Sequence, residues 1–125
     1  MSNVVTQDAI YKLQEVMKDL PRADVQTRHH FSDGMYAREM FMPAGSCVVG
    51  ALHKTQHLYS VVKGHCLVTS QYGSEEIQAP FLGETIPGTK RVIYAVTDCV
   101  WITYHPTNLT DVDEIEAALV EPEVI

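Results

Sequence analysis

Positive charge is scarce in this 125-residue chain. Nine lysines and arginines stand against sixteen aspartates and glutamates, giving a net charge of −7 with histidine neutral. Non-specific binding to DNA, RNA or an anionic membrane draws on an excess of Lys and Arg, so the balance argues against all three. A local basic pocket stays open, because net charge says nothing about clustering. Cysteine is scarce too. Cys47, Cys66 and Cys99 are odd in number and share no metal-type spacing, which reads as reduced, partly buried thiols of a cytosolic protein. No segment approaches about 20 continuous apolar residues, so no membrane span is expected. The first residues lack a charged stretch followed by an apolar run, so no signal peptide is expected and the expected location is the cytoplasm. Repeats, linkers and low-complexity tracts are also missing.

What is present is an apolar content of 46%, enough for a core in one domain spanning 1–125. "TQDAIYKLQEVMKDL" sets Ile10, Leu13, Met17 and Leu20 at helical spacing, with Thr6 as cap and Pro21 as stop. This predicts an N-terminal helix within 1–21. From 25 to 105 the texture changes to short β-rich runs divided by turn residues: "VQTRHHF", "MYAREMFM", "SCVVGALH", "LYSVVKG", "HCLVTSQY", "EEIQAPFL", "RVIYAV" and "CVWITYH". Seven or eight short strands at this spacing predict an all-β sandwich or small barrel. The tail "TDVDEIEAALVEP", opening on Thr110 and Asp113, predicts a short amphipathic helix over 110–120.

Side chains alternate along a strand, so one histidine fixes the facing of its neighbours. An inward His53 takes Ala51, Val49 and Cys47 with it. His105 shares a face with Thr103, Trp101 and Cys99, and Arg91 with Ile93 and Ala95. This facing lets His53, His57, Arg91 and His105 converge at the mouth of one barrel.

The same residues carry a resemblance. "PAGSCVVGALHKTQHLYSVVKG" resembles the first motif of the cupin superfamily, with His53 on the second histidine, His57 on the glutamate and Gly64 on the closing glycine. "GETIPGTKR" resembles a worn second motif, with Gly88 in the glycine position and Arg91 where a fourth ligand, a histidine, would stand. Ala51 replaces the first histidine and Ala95 the usual asparagine. More closely, the span 28–116 resembles small cupin-like proteins encoded by bacteriophages, through "GMYAREMFMPAG", "HKTQHL", "PGTKR" and "VWITYHPTNLTDVDEIE". The resemblance implies an all-β, cupin-type jelly-roll barrel with a short helix at each end. A homodimer or higher homo-oligomer is expected, since an open barrel edge is often covered by a partner strand.

Three functional readings stand side by side. In the first, His53, His57 and His105 hold one iron, manganese, nickel or zinc ion, as in the many cupins that are metal-dependent dioxygenases or isomerases. The arginine at the fourth position stands against it, because a guanidinium cannot ligate and repels a cation. The second reading, the leading one at this stage, rests on two H-x-T triplets, His53-Lys54-Thr55 and His105-Pro106-Thr107. These resemble the paired motifs of two-histidine phosphoesterases, which have a different fold. His53 and His105 would be an acid/base pair without a cofactor and His57 a helper. Thr55, Thr107, Lys54 and Arg91, with Lys90 as a further cation, would contact the phosphate of a nucleotide-like ligand. The third is a non-catalytic pocket that sequesters a small anionic ligand, Trp101 stacking on its base. Beside these, His29, His30 and His65 read as solvated or hydrogen-bonded residues, Met35, Met40 and Met42 as packing residues, and Asp111, Asp113, Glu114 and Glu116 as a solvated helix face.

Overall fold

The computed structural model of the chain describes residues 6–121. Helix α1 (Gln7–Met17) opens where the Thr6 hydroxyl accepts from the Ala9 amide, as the sequence predicts. It closes earlier than predicted. The amides of Lys18, Asp19 and Leu20 bond back three residues, tightening the end before Pro21, and Ile10 is the helix's buried residue. Leu13 and Leu20 are exposed instead of packed.

Nine strands follow: β1 (Gln26–Ser32), β2 (Met35–Met42), β3 (Cys47–Val49), β4 (His57–Lys63), β5 (His65–Ser70), β6 (Gly73–Gln78), β7 (Phe81–Thr85), β8 (Arg91–Ala95) and β9 (Cys99–His105). They pair antiparallel throughout, in a five-stranded sheet of order β1-β2-β9-β4-β7 and a four-stranded sheet of order β3-β8-β5-β6. The run "EEIQAPFL", read as one strand, contains parts of two that lie in different sheets. Pro80 stands between them, where a residue without an amide hydrogen cannot continue a ladder.

The core lies between the sheets. Tyr59 and Val61 of β4, Cys99 and Trp101 of β9 and Met42 of β2 meet Cys66 and Val68 of β5, Ile77 of β6, and Ile93 and Ala95 of β8. The inward facing predicted for β8 and β9 holds. That predicted for β3 holds only in part: Val48, opposite Ile93, packs on the core, yet Val49 and Ala51 line the barrel cavity with His53, whereas Cys47 does not. The chain leaves the strand at Val49, so strand parity no longer connects it to His53. All three cysteines are unpaired, and Cys66 and Cys99 are buried.

Helix α2 (Val112–Leu119) is capped by Asp111, one residue after the predicted Thr110; its carboxylate accepts from the Glu114 amide. Ile115 and Leu119 pack on Tyr36 of β2 across one end of the barrel. No helix among the described residues is long and apolar enough to cross a membrane.

Gly64 makes the tight β4–β5 connection at φ +94°, a region that disfavours side chains. A Cβ there would lie 2.7 Å from Cys99 Sγ and also press on the Asp98 carbonyl, which cannot move aside. Gly64→Ala is expected to cost about 2–4 kcal/mol, read as a lower urea midpoint. An unchanged midpoint contradicts the packing described.

Candidate metal centre at the barrel mouth

β4 begins with His57 and β9 ends with His105, and these strands are hydrogen-bonded neighbours, Leu58 opposite Tyr104. The two imidazoles are therefore delivered side by side at one end of the barrel. His53 arrives from the irregular segment between β3 and β4, held by an isolated bridge to Val120. The Lys54 amide donates to the Leu119 carbonyl at 2.7 Å and the Glu121 amide to the Leu52 carbonyl at 2.7 Å. Ring centroids are 4.4 Å apart for His53–His57, 4.5 Å for His57–His105 and 5.3 Å for His53–His105. The ligand-capable atoms of the three all lie within 4.8 Å of one another.

These rings open on a cavity of about 440 Å³ inside the barrel. Arg91 and Trp101 line it, as expected from their facing, and so does Thr103. The convergence of His53, His57, Arg91 and His105 read from the sequence is present. The two threonines of the H-x-T triplets do not share it. Thr55 is exposed outside the cavity lining, and Thr107 uses its hydroxyl to accept from the Leu109 amide. Lys54 is exposed, its ammonium donating to the Ala117 carbonyl at 3.3 Å, and Lys90 is buried with its ammonium 4.6 Å above the Tyr11 ring. Neither lysine lines the cavity. The physical reason is that His53 lies beyond the end of a strand, so its neighbours follow the loop instead of a sheet face.

Sequence reasoning missed several lining residues, among them Thr85, Tyr36, Arg38, Gln14 and Glu116. Tyr36 and Arg38 share the inward parity of β2, a signal present in "MYAREMFM". Gln14 of α1 and Glu116 of α2 reach the cavity because the helices cross the mouth, which no local pattern announces. Glu116, read as a solvated residue, is the acidic member of the lining. Of the residues assigned to solvent, His30 contacts Glu39 at 3.0 Å and His65 contacts Glu76 at 2.6 Å. His29 Nδ1 lies 2.6 Å from the Tyr36 hydroxyl. Met35 is exposed, in contrast to buried Met42.

No protein-family model matches the sequence, and no curated protein does. Solved structures do match. A cupin superfamily protein from Desulfitobacterium hafniense DCB-2 is 11% identical at a TM-score of 0.59, over 72% of this chain and 84% of that one. Salicylate 1,2-dioxygenase from Pseudaminobacter salicylatoxidans is 10% identical at a TM-score of 0.63, over 90% of this chain but 35% of the dioxygenase. A predicted oxalate decarboxylase from Thermotoga maritima is 18% identical at a TM-score of 0.55, over 64% and 77%. The fold is that of the cupins. At such identities the likeness is one of fold, and it has no bearing on the bacteriophage resemblance.

Within this barrel His57 and His105 each have one ring nitrogen in a local contact. His57 Nδ1 makes a long contact, 3.4 Å, to the Thr55 carbonyl. A carbonyl only accepts, so Nδ1 carries the proton and Nε2 keeps a lone pair. His105 Nε2 bonds the Thr103 hydroxyl at 3.0 Å, while its Nδ1 is buried with no partner. Burial, followed by the charge of His57, pushes His53 down to about 4, and burial with the charges of His57 and His53 pushes His105 to about 3. The Ala51 backbone near the His53 ring favours its protonated form and opposes part of the downward push. Burial also lowers His57. All three are neutral at pH 7, the form in which imidazole ligates a metal.

The pH consequence has a definite sign. Unfolded histidines titrate near 6.5, so below that pH the unfolded chain binds protons that the folded chain refuses. The unfolding free energy is expected to fall by roughly a few kcal/mol as pH drops from about 6.5 toward 4. His105→Gln should flatten that slope in urea titrations at several pH values; a slope it leaves unaltered would count against three neutral rings.

Proposed function

We propose that this chain is a metal-dependent cupin enzyme, an oxygenase or isomerase, acting on a small molecule in the barrel cavity. His53, His57 and His105 would hold one iron, manganese, nickel or zinc ion. The observation that carries this reading is the buried, unpartnered Nδ1 of His105 in a cluster with two more imidazoles whose ligand-capable atoms all lie within 4.8 Å of one another. A ligating histidine characteristically spends its second nitrogen on a backbone carbonyl or a hydroxyl, which fixes the ring. Here Thr55 and Thr103 supply those contacts to His57 and His105. Three neutral nitrogen donors suit first-row divalent ions. A bound ion would act as a Lewis acid with positions left open to substrate.

The protein's own contribution is a fixed, largely apolar chamber. Met40, Val48, Ile93 and Trp101 wall it, and Ile115 and Leu119 of α2 cover it. Such walls exclude bulk water and orient a small substrate through few polar groups. The dioxygenase and the predicted decarboxylase among the like structures support an enzymatic reading of such a barrel.

The phosphodiesterase reading finds less support. A resting general acid must be protonated, whereas burial and the charges of His57 and His53 hold His105 down at about 3, neutral at pH 7. Thr55, Thr107 and Lys54, its phosphate contacts, stand outside the cavity.

Elemental analysis of untagged protein, incubated with excess iron, manganese, nickel and zinc and then desalted, is expected to give about one ion per chain. Alanine at His53, His57 or His105 should remove it. Thr103→Val should weaken metal binding roughly 10–100-fold, the usual effect of losing such a support, with Thr103→Ser restoring it. Protein that retains no ion overturns the proposal.

A further inference from the structure

Arg91 is the cation at the floor of the cavity, and its surroundings are unusual. Its Nη1 donates to the Thr85 hydroxyl at 2.9 Å, and Thr85 is itself buried. The guanidinium carbon lies 4.8 Å from the centroid of Tyr59 and 5.6 Å from that of Trp101, two rings stacked 4.4 Å apart. Aromatic faces and one neutral hydroxyl thus fix the group. Among the described residues, no carboxylate lies within ion-pairing distance of it. Glu75, beside Arg91 in a neighbouring surface depression, acts on it only through space. A largely buried guanidinium with no anion in contact can take one, because its charge is poorly solvated and most of its N–H donors remain available.

We propose that the substrate of this site carries a carboxylate, held by Arg91 at the cavity floor. The inference rests on the metal-centre reading only in calling the molecule a substrate; the anion site stands on Arg91 and the cavity alone. With the histidines neutral, Arg38, Arg91 and Glu116 leave the lining at +1, two cations less one anion, inside a chain of net charge −7. The free edge of a guanidinium accepts a planar carboxylate through two parallel bonds. The other polyatomic anion it could take, a phosphate ester, is less well matched. Lys54 and Lys90, which would balance the second charge, are outside the lining, and about 440 Å³ lies toward the small end of ligand pockets. Apolar walls with Trp101 on one side further favour an acid with a compact apolar or aromatic body.

A second consequence concerns the metal. Arg91 repels a cation nearby, and a bound carboxylate neutralises that charge. Metal and carboxylate should therefore strengthen each other's binding by the same factor, as linkage requires.

Calorimetric titration of metal-free protein with benzoate, the isosteric neutral benzamide and phenyl phosphate tests the proposal without any contribution from an ion. Benzoate is expected to bind at least tenfold more tightly than benzamide and more tightly than phenyl phosphate. Arg91→Gln should abolish the preference over benzamide while leaving the thermal melt cooperative. In wild-type protein, equal binding of benzoate and benzamide overturns the proposal, and tighter binding of phenyl phosphate overturns it in favour of a phosphate ligand. Both outcomes are read without any variant. The two readings fail separately: absence of metal by elemental analysis, with the benzoate preference intact, removes the metal centre and keeps the carboxylate site. Retained metal without that preference does the reverse.

Discussion

The antiparallel pairing of β4 with β9 is the constraint on which the rest depends. Those strands are central in the five-stranded sheet, with β2 and β7 on their far sides. Their register puts Leu58 opposite Tyr104, Tyr59 opposite Thr103 and Val61 opposite Trp101. One pairing therefore does three things. It sets His57 beside His105, closes Tyr59 and Trp101 into a parallel stack, and builds the aromatic floor under Arg91. A one-residue slip would send each of these side chains to the opposite face. Gly83 on β7 belongs to the same arrangement, since a Cβ there would meet the Tyr59 hydroxyl oxygen at 2.6 Å.

The site is built against electrostatic preference. Three imidazoles and a guanidinium are gathered where water is largely excluded, which disfavours positive charge on every one of them. The histidines yield by staying neutral; the arginine cannot, and it adds to the pressure that keeps His53 and His57 neutral. The same burial that would make a poor resting acid makes good ligands. It also puts neutral imidazole donors and a guanidinium with no ion-paired carboxylate in one chamber. The proposed metal ion and organic acid would complement both together.

Helix α2 does more than cover the mouth. Its C-terminal end is stitched to the His53 segment by the His53–Val120 bridge and by main-chain bonds from Lys54 and Glu121. Position 53 is thus held by a tertiary contact with the far end of the chain, without support from a sheet of its own. The helix brings Glu116 to the cavity edge and buries Ile115 and Leu119 on Tyr36. Closing the barrel and placing the third histidine are consequently one event.

Much of this was legible in the residues. Period-two alternation in "RVIYAV" and "CVWITYH" places Arg91, Trp101 and His105 on inward faces, because the pleat leaves a strand no other choice. Turn residues mark nearly every strand boundary, and the Thr6 cap marks the start of α1. The alternation fails where the backbone stops being a strand. Between Val49 and His57 the chain is irregular, so counting by twos from His53 misassigns Val48, and the H-x-T triplet suggests Thr55 and Lys54 for a site they do not line. Local pattern is likewise silent on Gln14 and Glu116, whose places follow from how two helices cross the barrel. The sequence by itself determined the strands, their buried faces and which side chains carry the chemistry, since these follow from periodicity over a few residues. Only the tertiary structure decided which nitrogens stay free, that no carboxylate ion-pairs with Arg91, and which lysines lie outside the cavity, because each depends on contacts between segments far apart in the chain.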